Sequence, residues 1–341
     1  MDMSLRIGVI GCGLIGHKRA KSFGIAGHVA AAADIDLGRA QKLAASYPGC
    51  VATNDWRAVV ADPNIDAVVI ATTNDNLAEL TIAAVRGGKH VLVEKPAARN
   101  TAEIESLVDE ARRLGRVVKV GFNHRFHPAL VKAHELFTSG VIGPLMYIRA
   151  RYGHGGRLGY ETEWRADPDR AGGGELLDQG VHLIDLARWF AGDFDEVSGH
   201  IGTYFWNMPV EDNAFMLLRQ GQGVTASLHV SWTEWKNLFS FEIFGRLGKF
   251  QIDGLGGSYG LERLTWYRMP PEMGPPEVDT WEFKGPDLSW EAEFDEMFNA
   301  IAIGRPPLGS ADDGLAALRI VRDLYAQHSR RAAPRASESP R

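Results

Sequence analysis

Cysteine is scarce in this chain: Cys12 and Cys50 are the only two among 341 residues. Two thiols cannot build a disulfide framework or a thiolate metal site, and they suit a reducing cytoplasm. Long apolar runs are missing too. None approaches the roughly 20 residues that a membrane span needs. The opening MDMSLRIGVIG lacks the basic stretch, apolar run and small-residue cleavage site of a secretory signal. A basic surplus is also absent. With 37 Lys and Arg against 43 Asp and Glu the net charge is −6, which argues against a nucleic-acid-binding protein and against a membrane-surface protein. No internal repeat is visible. What is present is an ordinary globular composition, 45% hydrophobic, and a length that at about 150 residues per domain predicts two domains.

The first third alternates strand-like and helix-like segments. Leu5 to Ile10, His28 to Ala33, Ile65 to Ala71, Lys89 to Val93 and Val117 to Val120 read as strands, with helices such as Asn74 to Arg86 and Thr101 to Leu114 between them. Short links between alternating β and α elements predict a doubly wound parallel sheet. Beyond Gly121 strand candidates follow one another: Leu145 to Tyr152, Glu196 to Trp206, Asn213 to Arg219, Val224 to Trp232, Phe239 to Phe244 and Lys249 to Ile252. One long helix, Glu175 to Phe190, interrupts them, Arg268 to Pro286 reads as a loop, and the helices Ser289 to Ile303 and Ala311 to His328 close the chain. The expected fold is α/β: a dinucleotide-binding domain over 1–122, an α+β domain with an open, mostly antiparallel sheet over 123–330, and a flexible tail over 331–341. An open sheet leaves a face or edge to cover, which predicts a homodimer or homotetramer.

Gly11-Cys12-Gly13-Leu14-Ile15-Gly16 directly follows the first strand and opens a helix. In that context G-x-G-x-x-G is a dinucleotide fingerprint: Gly11 permits the tight turn, Gly13 the close approach of a pyrophosphate, and Gly16 the packing of helix on strand. The helix N-terminus offers unpaired N–H groups to the phosphates. Asp34 ends the second strand, 18 residues after Gly16, near the spacing of an acid that binds the ribose hydroxyls. Its charge would repel a 2′-phosphate, so NAD is favoured over NADP. Asp36 suits an N-cap of the following helix.

Glu94-Lys95-Pro96 closes the fifth strand at the carboxyl edge of the sheet, where ligands of open α/β folds bind. A lysine there suits a substrate oxygen, and an ordinary surface lysine is the plainer alternative. In the run from Gly172 to Asp185, Asp178 and His182 stand at i and i+4 and Asp185 at i+3 from the histidine, so one helix face carries all three. A carboxylate beside an imidazole suits general acid–base work, while a polar surface stripe is the bland reading. A metal site is not expected, for no cysteine or second histidine stands at ligand spacing nearby. His124 and His127, just before Pro128, are expected to be structural.

The order Gly11-x-Gly13-x-x-Gly16, Ala33-Asp34, Glu94-Lys95-Pro96, Gly121-Phe122-Asn123-x-Arg125-Phe126 and Asp178-x-Gly180-x-His182-x-x-Asp185 resembles the glucose-fructose oxidoreductase / inositol dehydrogenase / MocA family over nearly the whole chain. The resemblance implies a Rossmann domain, hydride exchange at a nicotinamide, and Lys95, Asp178 and His182 as the catalytic lysine, aspartate and histidine. It also implies that Ala71-Thr72-Thr73-Asn74 is a cofactor-side segment, departing from the family's Ala-Thr-Pro-Asn at Thr73 and lacking its histidine near Leu77, and that Trp164-Arg165 lies near the cofactor. The candidate cofactor-binding residues are then Gly11, Gly13, Leu14, Ile15, Gly16, Asp34, Ile35, Thr72, Asn74, Glu94, Lys95, Trp164 and Arg165. The candidate substrate-binding residues are Lys95, Arg125, Tyr152, His154, Asp178, His182 and Trp235. The expected reaction is hydride transfer between NAD and a secondary alcohol or ketone of a sugar, cyclitol or sugar derivative, in either direction. A nucleotide-sugar enzyme, using arginines among Arg149, Arg151, Arg157, Arg165 and Arg170, and a non-catalytic NAD-binding sensor are the alternatives.

Overall fold

The computed structural model describes residues 4–221, 223–272 and 274–332. Its first six strands are short and apolar: β1 (Leu5–Ile10), β2 (Gly27–Ala33), β3 (Val51–Thr53), β4 (Ala67–Ile70), β5 (His90–Val93) and β6 (Val118–Val120). They pair in parallel in the order β3-β2-β1-β4-β5-β6. All four side chains of β4 are buried, as a strand covered on both faces requires. The crossover helices are α1 (Leu14–Lys21), α2 (Leu37–Ala44), α3 (Trp56–Ala61), α4 (Asn74–Arg86) and α5 (Thr101–Leu114). Local chemistry sets their ends. The Asn100 side chain accepts the Glu103 N–H at 3.0 Å to start α5, and Gly115, at φ +60°, stops it. The strand order reverses between β1 and β4, which opens a crevice at the carboxyl ends of these strands.

Helix α6 (Pro128–Thr138) leads into a second sheet, built from β7 (Leu145–Gly153), β8 (Glu196–Gly202), β9 (Asn213–Arg219), β10 (Thr225–Ser231), β11 (Leu238–Gly245), β12 (Gly248–Asp253), β13 (Glu262–Arg268) and β14 (Glu277–Phe283). The order is β14-β13-β12-β11-β7-β10-β9-β8, and every pairing is antiparallel except β7 with β10. Between β7 and β8 lie the short α7 (Pro168–Ala171), a π-turn over Leu176–Gly180 and α8 (Val181–Ala191), which packs against β7 and β10.

Four details differ from the sequence expectation, the first being β13, which no strand candidate covered. The segment read as a loop carries β14, an edge strand whose side chains are mostly exposed; its ladder to β13 stabilises it, so it has no buried apolar stripe to betray it. Helix α6 was not anticipated, although Pro128 at its first turn is a recognised start signal. The long helix at Glu175 begins instead as a π-turn, which changes the angular relation between Asp178 and the residues after it. The expected tail lies outside the described residues from 333 onward, and the last helix runs to Ala332.

The final two helices, α9 (Ser289–Ile303) and α10 (Ala311–Ala332), return to the first sheet. Phe294 and Met297 of α9 join Ile7, Val9 and Phe23 in one buried cluster, with the Phe294 and Phe23 ring centroids 4.7 Å apart. Ser310, just before α10, bridges to Lys119 of β6. Among the described residues no helix is long and apolar enough to cross a membrane. Because Phe294 is fully enclosed, Phe294→Ala should cost about 3–5 kcal/mol of folding stability. A denaturant titration would read this as a lowered midpoint at unchanged slope.

Candidate active site

The glycine loop is shaped by sterics. Gly11 has φ +92°, and a Cβ there would stand 2.5 Å from the Ala71 carbonyl oxygen; a Cβ on Gly16 would stand 2.0 Å from the Gly11 carbonyl oxygen. Both positions therefore demand glycine. Above Gly13 a Cβ would meet nothing within 4 Å, so the start of α1 faces open space. Asp34 is held beside this loop: its Oδ2 accepts the Cys12 N–H at 2.8 Å and its Oδ1 the Asp36 N–H at 3.0 Å. Asp36 in turn accepts the Gly38 N–H and caps α2. Leu14 and Ile35 flank the loop, 76% and 93% exposed. An open cradle at a helix N-terminus, an anchored carboxylate and two bare apolar side chains together fit a dinucleotide: amides for pyrophosphate, Asp34 for ribose hydroxyls, aliphatic surface for a ring.

The crevice continues into a cavity of about 400 Å³ where the two sheets meet. Leu14, Ile15, Thr72, Asn74, Glu94 and Lys95 line it from the first sheet's side, and Tyr152, His154, Trp164, Arg165, Asp178 and His182 from the second. At its centre Lys95 Nζ donates to the Asp178 carbonyl oxygen at 2.7 Å and, more closely, to Asp178 Oδ1. Arg165 Nε donates to Asp178 Oδ2 at 3.2 Å. Burial works against the Asp178 charge, but the ammonium of Lys95 and the guanidinium of Arg165 outweigh it and hold the carboxyl well below the usual carboxylate range. Asn74 Nδ2 donates to the Ala171 carbonyl oxygen at 2.9 Å, and Glu94 accepts Arg19 Nε at 2.6 Å. His154 Nδ1 accepts the Gly156 N–H at 2.9 Å, so its proton resides on Nε2.

His182 is 5% exposed and stacks on His124, with ring centroids 3.8 Å apart and planes inclined by 18°. Its Nδ1 is buried with no hydrogen-bond partner among the described residues. Burial, reinforced by the charge on Lys95, pushes its pKa well below the ordinary imidazole value, and the ring is neutral at pH 7. The expectation that Asp178 orients His182 is corrected here: that carboxylate is committed to Lys95 and Arg165.

Residues 5–122 match the oxidoreductase family with an NAD-binding Rossmann fold, and residues 130–251 match the GFO/IDH/MocA C-terminal domain. The chain belongs to the GFO/IDH/MocA oxidoreductase family. It is 30% identical over 327 residues to inositol 2-dehydrogenase of Acidothermus cellulolyticus, covering 93% of this chain and 90% of that enzyme. Over 184 residues it is 34% identical to levoglucosan dehydrogenase of Pseudarthrobacter phenanthrenivorans, a match that spans 50% of this chain and 45% of that enzyme. Among solved structures, a levoglucosan dehydrogenase in complex with NADH superposes with a TM-score of 0.88 at 24% identity, over 96% of this chain and 97% of that one, a likeness of fold.

Two of the candidate substrate-binding residues lie outside the cavity lining. Arg125 is buried, and its Nε and terminal nitrogen bind both oxygens of Asp185 at 2.7 and 2.6 Å, with Asp313 at 3.3 Å. Its guanidinium is spent on a bidentate pair that joins α8 to the segment before α6, so neither Arg125 nor Asp185 reaches a substrate. Trp235 is 65% exposed and packs edge-on against Phe205, away from the cavity lining. Conversely, His124, Tyr160, Gln179, Tyr259, Asp287 and Trp290 line the cavity without having been singled out for it. Gln179 stood next to Asp178 and His124 inside a quoted motif; Tyr259 and Trp290 carry no local signal, because distant loops bring them in. His127 lines the cavity too, and its Nδ1 stands 3.0 Å from Glu262. With Asp34 anchored beside the glycine loop where ribose hydroxyls would fit, Asp34→Ala is expected to narrow the preference for NAD over NADP when both are titrated. Tighter binding of NADP by the unaltered protein would contradict this role.

Proposed function

We propose that this oxidoreductase transfers hydride between NAD and a secondary alcohol or ketone of a sugar or cyclitol, with Lys95, Asp178 and His182 as its working side chains. One arrangement carries the reading. Lys95 spends two of its three N–H groups on Asp178 and keeps one for a substrate oxygen, in a cavity that the neutral His182 also lines. Bound NAD would supply the hydride acceptor, held by the Gly11–Gly16 loop and Asp34 in the domain formed by residues 1–122. In the oxidation direction Lys95 hydrogen-bonds the hydroxyl oxygen and His182 takes its proton. Asp178 pairs with both Lys95 and Arg165, and Glu163 stands 4.0 Å from Arg165 as well, so neither cation is left unpaired to capture the substrate as a salt.

Charge balance also favours an uncharged polyol over a nucleotide sugar. Of the arginines set aside for phosphates, the two that line the cavity are both paired, Arg157 with Glu163 and Arg165 with Asp178. The relatives named inositol 2-dehydrogenase and levoglucosan dehydrogenase support the same substrate class. Both thiols are free, which suits the cytoplasm we propose as the setting. We also propose a homodimer or homotetramer that covers the open face of the second sheet, where Tyr147, Phe215 and Leu217 are exposed. Sedimentation of a pure monomer at micromolar concentration would overturn that.

Screening sugars and cyclitols for NAD reduction tests the reaction itself. With a substrate in hand, His182→Ala should lower kcat by about a hundredfold or more, as loss of a general base does, while NAD affinity measured by fluorescence titration is unchanged. Since His182 binds its proton more weakly than an ordinary imidazole, kcat/KM for oxidation should persist below pH 6.5 and fall only on further acidification. An acid limb at or above the ordinary value would point to another base.

A further inference from the structure

His182 lacks the carboxylate that orients a base in most acid–base sites, and the question is what holds its ring instead. Phe122 and Tyr152 meet it edge-on, at centroid distances of 6.0 and 6.4 Å. Among the described residues the one ring stacked flat on its face is His124, at 3.8 Å. His124 itself is fixed by a run of hydrogen bonds that also assigns its proton. Ser289 Oγ donates to Asp287 Oδ1 at 2.6 Å, so its lone pairs accept from Asn123 Nδ2 at 3.0 Å. The Asn123 amide oxygen therefore faces His124 Nδ1 at 3.2 Å, and that nitrogen must donate. The proton of His124 is thus on Nδ1, and Nε2 is a bare acceptor, buried with no hydrogen-bond partner among the described residues.

We propose that His124 is a positioning residue for His182: its ring, anchored through Asn123 and Ser289 to Asp287, clamps the base face to face and takes the place of an orienting carboxylate. The proposal rests on the reading of His182 as the base. The clamp is chemically suited to that role. When His182 takes a proton, the charge forms against the face of a ring whose own proton is tied to Asn123, so the two imidazoles need not carry charge together. Burial and the neighbouring His182, His127 and Lys95 keep His124 neutral. The remaining groups that act on His182 are Lys95, Asp178, His127, Arg19 and the Tyr152 ring, and none of them lies flat on its ring.

The test pairs histidine-labelled NMR titration of the full chain with steady-state kinetics for the unaltered protein, His124→Ala and His124→Phe. Removing the clamp admits water to the vacated face. In His124→Ala, His182 should therefore titrate closer to its ordinary value, and the acid limb of kcat/KM should rise with it. In the same variant kcat should fall about tenfold while KM changes less than about twofold, because orientation and not binding is lost. His124→Phe keeps a flat ring and should stay within about threefold of the unaltered kcat. A folded His124→Ala protein with unchanged His182 titration and kcat overturns the proposal, as does a folded His124→Phe as impaired as His124→Ala. Turnover retained by His182→Ala would overturn the assignment of the base instead, and the titration judges the clamp without reference to activity.

Discussion

Lys95 and Asp178 meet across the seam between the two sheets, and the chemistry of the cavity is organised by that ion pair. Lys95 follows β5 of the parallel sheet; Asp178 sits in the π-turn that opens the second domain's helix. Both side chains are only partly exposed, so either charge alone would be poorly solvated where it stands. Together they are neutral, and they set the separation of the two walls between which a substrate must fit. The pairing also uses up the carboxylate, with Arg165 taking its second oxygen. His182 is thereby left to packing.

A second set of buried charges ties the C-terminal helices to the cofactor side. Arg19 of α1 pairs with Glu94, the residue before Lys95, and with Glu293 of α9, and all three are buried. Trp290 of the same helix lies over the Arg19 guanidinium, 4.3 Å from its ring centroid, and lines the cavity. The fingerprint helix, the Glu-Lys-Pro element and the returning helix are thus held by one network. Sequence neighbours cannot reveal it, because 274 residues separate Arg19 from Glu293. Phe294 packing on Phe23 supplies the apolar half of the same contact.

The histidines show how environment, and not residue type, assigns a role. His124 and His127 are three residues apart, yet His127 is turned to Glu262 and holds the start of α6, while His124 lies against His182 in the cavity. Their spacing alone treated them as a pair. The 3₁₀ turn over Asn123–Phe126 separates their directions, and Asn123, reached by Ser289 from the far end of the chain, holds His124 in place.

By itself the sequence determined the alternation that makes the parallel sheet, the fingerprint at Gly11, Gly13 and Gly16, the acid at Asp34, and Lys95, Asp178 and His182 as chemical candidates. These are local signals: hydrophobic runs, obligatory glycines and strand-end positions whose meaning is fixed within a few residues. The tertiary structure decided which groups face one another. Asp178 turned to Lys95 because the π-turn shifts the helix phase that an ideal i, i+4 relation assumes. Arg125 was withdrawn from the cavity by Asp185, 60 residues away, and Trp235 was left at the surface. A titratable side chain pairs with whichever opposite charge the fold brings within reach of it in a water-poor interior, and that partner is set by packing across sheets rather than by spacing along the chain.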